Sequence, residues 1–375
     1  RTPLGRRIPY LAFGAIPFGI VYFLLWTPPF GGIEQVRLLF LYFVVFICLF
    51  DGLYTLTILN WASLYPEMYP SLEERAQVNA YRQSFGMLGL LLGVALPPLI
   101  YSTWGWKTMG AIFGAIITLA LLIALWGSHE RKEFSLDQPL SLGQALKATF
   151  KNRSFLIFVF ANLLVQYTFT MILATVPFFA KYVLNADPVA TTMILAAAFL
   201  TAIPALFVWR WLTLKFGAKV CFMLSMVSLA LFLFPLLYLQ TYATALLVSS
   251  MIGFGLAGFI LVSDVIISDV IDEDEINTGT RREGMYFGIN AFVTRFAIGL
   301  EALSLSSVFL YTGYNPYVFT QTKSFIFGLR MLIAGLPIIA MIFGFAIMFW
   351  YPLSGVKLKE LKRRLVEVHL RKGVK

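Results

Sequence analysis

Ionisable side chains inside long apolar runs demand a chemical explanation first. Burying one in hydrocarbon costs about 2.5–3.5 kcal/mol on insertion scales. Asp51, Arg82, Arg295 and Glu301 stand out in this way. A guanidinium cannot shed its proton, so Arg82 and Arg295 each need a carboxylate, water, or an anionic or hydroxylated ligand. A carboxylate at similar depth can take up and release a cation or proton. Asp51 has Thr55 one helical turn later on the same face. Arg295 and Glu301 are separated by about 240° around a helix, so they seek partners elsewhere. One reading is a polar cavity in which the arginines hold a solute while Asp51 and Glu301 exchange a cation. The other is a set of ion pairs that staple helices together.

Neutral polar residues extend the list. Asn162 and Gln166 share a face at i, i+4 and suit hydroxyl recognition or interhelical hydrogen bonding equally well. Asn290 lies near Arg295 on the same predicted helix. Trp61 and Tyr81 fit either a stacking platform for a ring or an interfacial anchor. The acids Asp269, Asp272, Glu273, Asp274 and Glu275 precede Arg281 and Arg282 across a short turn. Their spacing and the missing central glycine exclude an EF-hand. A charge network that gates one end of the bundle and a solvated acidic loop are the two readings of this segment. Other patterns carry no chemistry. Gly253-Phe-Gly255-Leu-Ala-Gly258 matches a dinucleotide fingerprint but lies inside an apolar run, not between strand and helix. It and the pair Gly89 and Gly93 are expected to let helices pack closely. Asn152-Arg153-Ser154 has the form of a glycosylation sequon on the wrong side of the expected topology. His129 and His369 form no cluster, and Cys48 and Cys221 form no disulfide framework.

The elements that must position these residues follow from composition. Of 375 residues, 59% are hydrophobic and only 13% charged, where soluble domains carry about 25% charge. So much apolar surface needs lipid as its solvent. Runs of about 20 apolar residues mark ten helices: 9–27, 37–63, 79–101, 107–127, 155–181, 188–209, 219–239, 242–267, 285–312 and 325–351. They are helices because lipid offers the backbone no hydrogen-bond partner. Placing both ends of the chain in the cytoplasm leaves Arg37, Lys107, Lys181 and Lys323 outside and most of the 29 basic residues inside. The net charge of +10 is therefore an orientation signal and not a nucleic-acid surface. The polar stretch 128–154 divides a four-helix part, 1–127, from a six-helix part, 155–351. A basic amphipathic tail, 352–375, reads as lying on the inner leaflet. PLGRRIPY at 3–10 and LKFGAKVCF at 214–222 open helices in the same context, as expected for parallel halves.

SDVIDEDEINTGTRREGMYFGINAFVTR (268–295) resembles the tenth-loop signature of the glycoside–pentoside–hexuronide:cation symporters of the major facilitator superfamily. GRRIPY resembles their loop between helices two and three. YTLTILNWASLYPEM (54–68) and EERAQVNAYRQSFG (73–86) resemble helices four and five, and YPLSGVKLKEL (351–361) the exit from helix twelve. The resemblance implies an all-α major facilitator fold from which the first two helices would be missing ahead of Arg1. It matches Arg82 to a cavity arginine, Arg295 to the place of a lysine, and Thr55 to a threonine beside the cation site. It also places Ile58 where the melibiose carrier has a sugar-binding aspartate, and Ala62 where it has a tryptophan.

The expected function is cation- or proton-coupled symport of a sugar or glycoside by alternating access, with a lysolipid or other amphipathic solute as the alternative. A non-transporting solute sensor is a further alternative. An enzyme is disfavoured, because no metal motif or nucleophile–base pair appears. The expected partners are the bilayer, a small solute and Na+ or H+. No organic cofactor, metal or nucleic acid is expected, and the chain should act as a monomer in the cell membrane.

Overall fold

A computed structural model describes residues 5–30, 35–69, 71–130, 149–186, 188–315, 317–318 and 320–371. Most of the expected central loop, 131–148, and the chain ends at 1–4 and 372–375 lie outside the described residues. The described chain is helical: α1 Ile8–Leu25, α2 Val36–Met68, α3 Leu72–Gly127, α4 Arg153–Tyr182, α5 Pro188–Phe216, α6 Ala218–Leu233, α7 Tyr242–Thr278, α8 Glu283–Thr312, α9 Lys323–Arg330, α10 Leu336–Phe349 and α11 Gly355–Arg371. Residues Met331–Gly335 form a π-turn between α9 and α10. Among the described residues, nine helices are long and apolar enough to cross a membrane. The expected spans 79–101 and 107–127 run together as α3, which breaks at Gly105. Its φ of 81° is open to a residue without Cβ.

The chain divides into two compact units. The first takes Arg1–Pro70 and Leu92–Pro139; the second takes Ser71–Leu91 and Leu140–Arg371. The first part of α3 therefore belongs to the second unit.

In the first unit α1 packs along α2. Ala15, Phe18 and Leu121 form an apolar cluster with Phe50, Leu53, Ile58 and Ile117 around it. The backbones of α1 and α3 touch: a Cβ on Gly19 would fall 2.4 Å from the carbonyl oxygen of Gly114. Arg6 and Arg7, in the GRR turn before α1, reach Glu67 of α2 at 3.2 and 2.7 Å. Arg7 also donates to the carbonyl of Ser63 at 2.7 Å. Glu130 completes this end. Its carboxylate accepts from the backbone N–H groups of Arg6, Arg7 and Ile8 at 3.0, 2.5 and 2.9 Å. Those donors open a helix and have no intrahelical partner.

Burial works against ionising Glu130. The three N–H bonds and Arg6 outweigh it and hold the carboxyl below its ordinary value of 4.5. A depressed folded-state value means stability that is fully present above the unfolded value and lost as pH falls through the folded one. Glu130→Gln should therefore lower the melting temperature at pH 7, and its deficit against wild type should shrink below about pH 4.5. A deficit that stays constant down to pH 3 would show that the carboxylate charge is not what holds the cap.

In the second unit α5 and α6 lie against α7, α4 against α10 and α8, and α6 against α10. The glycines of α7 make this possible. A Cβ on Gly253 would lie 2.0 Å from the Ala198 carbonyl oxygen of α5, and one on Gly255 would lie 3.1 Å from Leu229 Cα of α6. The fingerprint-like triplet is thus a packing surface. Gly89 and Gly93 are not: a Cβ there meets nothing within 4 Å, so the expectation of close packing at that pair is corrected. Asn152, the sequon residue, caps α4 by accepting from the N–H of Phe155 at 2.9 Å. At 37 residues, α7 is about 55 Å long, well beyond the ~30 Å hydrocarbon thickness. Its C-terminal end, which carries the acids, can project past the apolar layer.

Candidate functional site

Two polar clusters in the second unit draw on the same helix, α7. The first is a sealed ion network at its C-terminal end. Asp272 accepts from Arg75 Nη1 at 2.8 Å and Nη2 at 3.3 Å. Lys362 of α11 reaches Asp272 at 2.7 Å and Asp269 at 2.6 Å. Arg281 meets Asp272 at 3.2 Å, Glu275 at 2.7 Å and Glu283 at 2.6 Å. Arg282 forks onto Asp274, with Nε to Oδ2 at 2.8 Å. Gly279, in the left-handed conformation, ends α7 and turns the chain so that both arginines fold back. Asp269, Asp272, Asp274, Glu275, Arg281 and Glu283 are all buried, as is Arg75. Glu273 is half-buried and lines a shallow polar groove with Lys357, Glu360 and Arg364. The sequence grouped Asp269, Asp272, Arg281 and Arg282; the structure joins Asp269, Asp272 and Arg281 in one network and pairs Arg282 with Asp274 on the same end of α7.

The second cluster lies earlier on α7, within its apolar stretch. The guanidinium of Arg82 pairs with the carboxylate of Asp264. Gln83 Nε2 donates to the same carboxylate at 3.1 Å. One turn before, Asn79 donates to the Leu261 carbonyl at 2.7 Å. Ser263, the residue before Asp264 on α7, donates to Asn162 Oδ1 at 3.3 Å, and Asn162 in turn donates to Asn290 Oδ1 at 3.0 Å. Arg82, Asn162 and Asn290, which the sequence singled out separately, thus converge on residues 263 and 264 of α7. Gln166 is half-buried one turn beyond Asn162.

Arg295 is exposed on α8, and Glu301 is half-buried on the same helix. Asp51 is exposed on α2, with Thr55 and Trp61 half-buried along it. Tyr81 meets Phe207 edge-on. Ile58 packs on the apolar cluster of the first unit.

Sequence reading missed Asp264, although an acid inside the apolar run 242–267 meets the criterion that selected Asp51. It also took Arg75 for an orientation charge, and Lys362 for part of a tail on the lipid surface. Lys362 is tied to the acids of α7, so the tail helix docks there. Its inner face, Leu361 and Leu365, is buried. No group of three or more His, Cys, Asp or Glu residues suited to a metal occurs among the described residues.

Long apolar helices with a polar cluster inside an apolar run and an ion network at one helix end are those of a polytopic membrane transporter. Solved structures similar to it have the major facilitator fold. One is the proton:xylose symporter XylE bound to 6-bromo-6-deoxy-D-glucose, with TM-score 0.66 at 17% identity, covering 96% of this chain and 83% of that one. The transporter FucP in its outward conformation gives 0.62 at 12% identity, covering 92% and 84%. A family model described as MFS/sugar transport protein matches residues 1–355, and the chain belongs to that family. Its curated relatives include the sodium-dependent lysophosphatidylcholine symporter 1 of Xenopus tropicalis, 24% identical over 97% of this chain and 77% of the relative. The glucuronide carrier protein homolog of Escherichia coli strain K12 is 24% identical over 100% of this chain and 82% of the relative. The resemblance read from residues 268–295 agrees with this membership.

Proposed function

We propose that this protein is a cation-coupled symporter of a small solute that carries an anionic group, most simply a glycoside of the hexuronide kind. The observation that carries the reading is the pair of polar groups on adjacent residues of α7: the Arg82 guanidinium and the Gln83 amide at Asp264, and the Asn162 and Asn290 amides linked to the Ser263 hydroxyl. A guanidinium at spanning depth suits a carboxylate or phosphate through two parallel hydrogen bonds. The amides and hydroxyl suit sugar hydroxyls. Gln166, Arg295, Thr55 and Trp61 supply further polar or stacking contacts as the carrier alternates. Asp51 and Glu301 are candidate carboxylates of the path by which the coupling cation or proton enters and leaves. The network of Asp269, Asp272, Arg281 and Arg282 is the gate that opens and closes one end. Both ends of the chain face the cytoplasm, and the protein works as a monomer in the cell membrane, as a carrier and not an enzyme.

A lysolipid is the second reading. Two observations favour it: Ile58 sits in an apolar cluster, and a small cavity in the second unit is lined almost wholly by apolar side chains such as Phe169, Ile172, Val176 and Leu256. The solutes named for the two curated relatives, a glucuronide and lysophosphatidylcholine, share an anionic oxygen group. Counterflow in vesicles containing the purified protein separates the readings. Labelled 4-nitrophenyl β-D-glucuronide should exchange against unlabelled glucuronide, and lysophosphatidylcholine should not compete. Competition by the lipid alone would select the second reading, and exchange of neither would sink both.

A further inference from the structure

Asp264 lies outside the segments that carry the family resemblance and, among the described residues, has no bond to the ion network at the end of α7. Its carboxylate faces Arg82 and Gln83. The two ion-pair partners keep 19% and 20% of their side chains exposed. In the gate, Arg281 and Asp272 keep 1% and 0%. A sealed pair can be broken only by unpacking its helices, whereas a part-exposed pair can be opened by a ligand that reaches it.

We infer that Asp264 is an internal counter-anion that holds Arg82 until the coupling cation binds Asp264 and frees the arginine for the anionic group of the solute. This rests on the reading that Arg82 holds the solute. Charge argues for it. One guanidinium cannot neutralise both Asp264 and a solute anion at spanning depth. A cation on Asp264 restores balance, because Arg82 and the cation then offset Asp264 and the solute. No covalent bond changes; one ion pair is exchanged for two. A neutral solute cannot displace Asp264, so the same pair makes the carrier selective for anions. The coupling is reciprocal: cation and solute strengthen each other's binding by the same factor, typically about 5- to 150-fold.

The charged groups around α7 leave Asp264 to Arg82. Arg75 and Lys362 are engaged further along, at Asp269 and Asp272. Arg210 of α5 donates to Gln77 at 3.3 Å. Lys219 of α6 donates to the carbonyls of Phe349 and Tyr351. From α4 the neutral Asn162 meets Ser263, and from α8 the neutral Asn290 meets Asn162.

The test uses the purified full chain and two readouts. Binding of 4-nitrophenyl β-D-glucuronide is measured with Na+ or with N-methylglucamine, at neutral and mildly acidic pH. The sodium and acid arms distinguish Na+ from a proton. Wild type should bind at least about fivefold tighter with the coupling cation. Asp264→Asn should bind as tightly without the cation as wild type does with it, and Asp264→Glu should restore cation dependence. Cation dependence unchanged in Asp264→Asn would overturn the inference while leaving solute binding intact. If wild type binds neither the glucuronide nor lysophosphatidylcholine, the solute reading fails, and melting without solute decides this one. Sodium or acid should shift the wild-type midpoint. The shift should vanish in Asp264→Asn, and also in Arg82→Gln/Asp264→Asn, which leaves no unpaired charge. A shift that survives in both variants, or no shift in wild type, overturns the inference.

Discussion

Arg82→Ala is expected to abolish solute exchange while the protein still reaches the membrane. Hydrogen bonds to charged groups are worth about 1.5–3 kcal/mol each. A guanidinium that grips an anion through two of them supplies roughly a hundredfold or more in affinity, since each 1.36 kcal/mol is tenfold. Alanine removes both bonds and the charge. Arg82→Lys keeps the charge but not the planar fork, so it should recover only part of the loss. The fold should survive, because Asp264 keeps its bond from Gln83 and is part-exposed. Counterflow together with membrane abundance checks this. Wild-type exchange by Arg82→Ala would remove the arginine from the solute site and leave it as a helix staple.

Arg281→Ala should act on stability instead. Arg281 is 1% exposed and lies within 3.2 Å of carboxylate oxygens on Asp272, Glu275 and Glu283. Arg75 and Lys362 still neutralise Asp272 when Arg281 is removed. Glu275 and Glu283 lose a partner that the same side chain supplied to both. Removing one partner of a buried ion pair costs about 3–5 kcal/mol, because the stranded charge has no water to turn to. The expected result is a steep drop in melting temperature and in membrane abundance. Lys362→Ala should be much milder, since its side chain is 28% exposed. Equal effects from the two substitutions would mean that burial does not decide the worth of these pairs.

Both outcomes bear on what could be read in the sequence. The helices were legible because hydrocarbon imposes one solution on an apolar run, and the family was legible from the acidic turn at 268–295. The acids and arginines at the end of α7 were legible for the same reason: Asp272, Arg281 and Arg282 lie within a short stretch of chain. Their partners were not. Arg75 is 197 positions from Asp272, and nothing in local periodicity links residues so far apart. Asp264 was legible in principle from its apolar surroundings. Its role was not, because that depends on Arg82 arriving from α3. The two ends of α3 also group with different units, which hydropathy cannot register because it counts apolar residues and not their neighbours.

The glycine stripe of α7 has a mechanical consequence. Gly258 leaves a notch filled by the indole ring of Trp209, against which a Cβ would stand 2.5 Å away. The indole N–H donates to the Phe254 carbonyl at 2.8 Å, and the side chain is almost wholly buried. This is a peg in a socket. Sliding α5 along α7 by one turn, about 5.4 Å, would drive the ring into side chains and strand its N–H without an acceptor. The α5–α7 joint is therefore a solid one, so helix motion in this unit has to be borne at other joints.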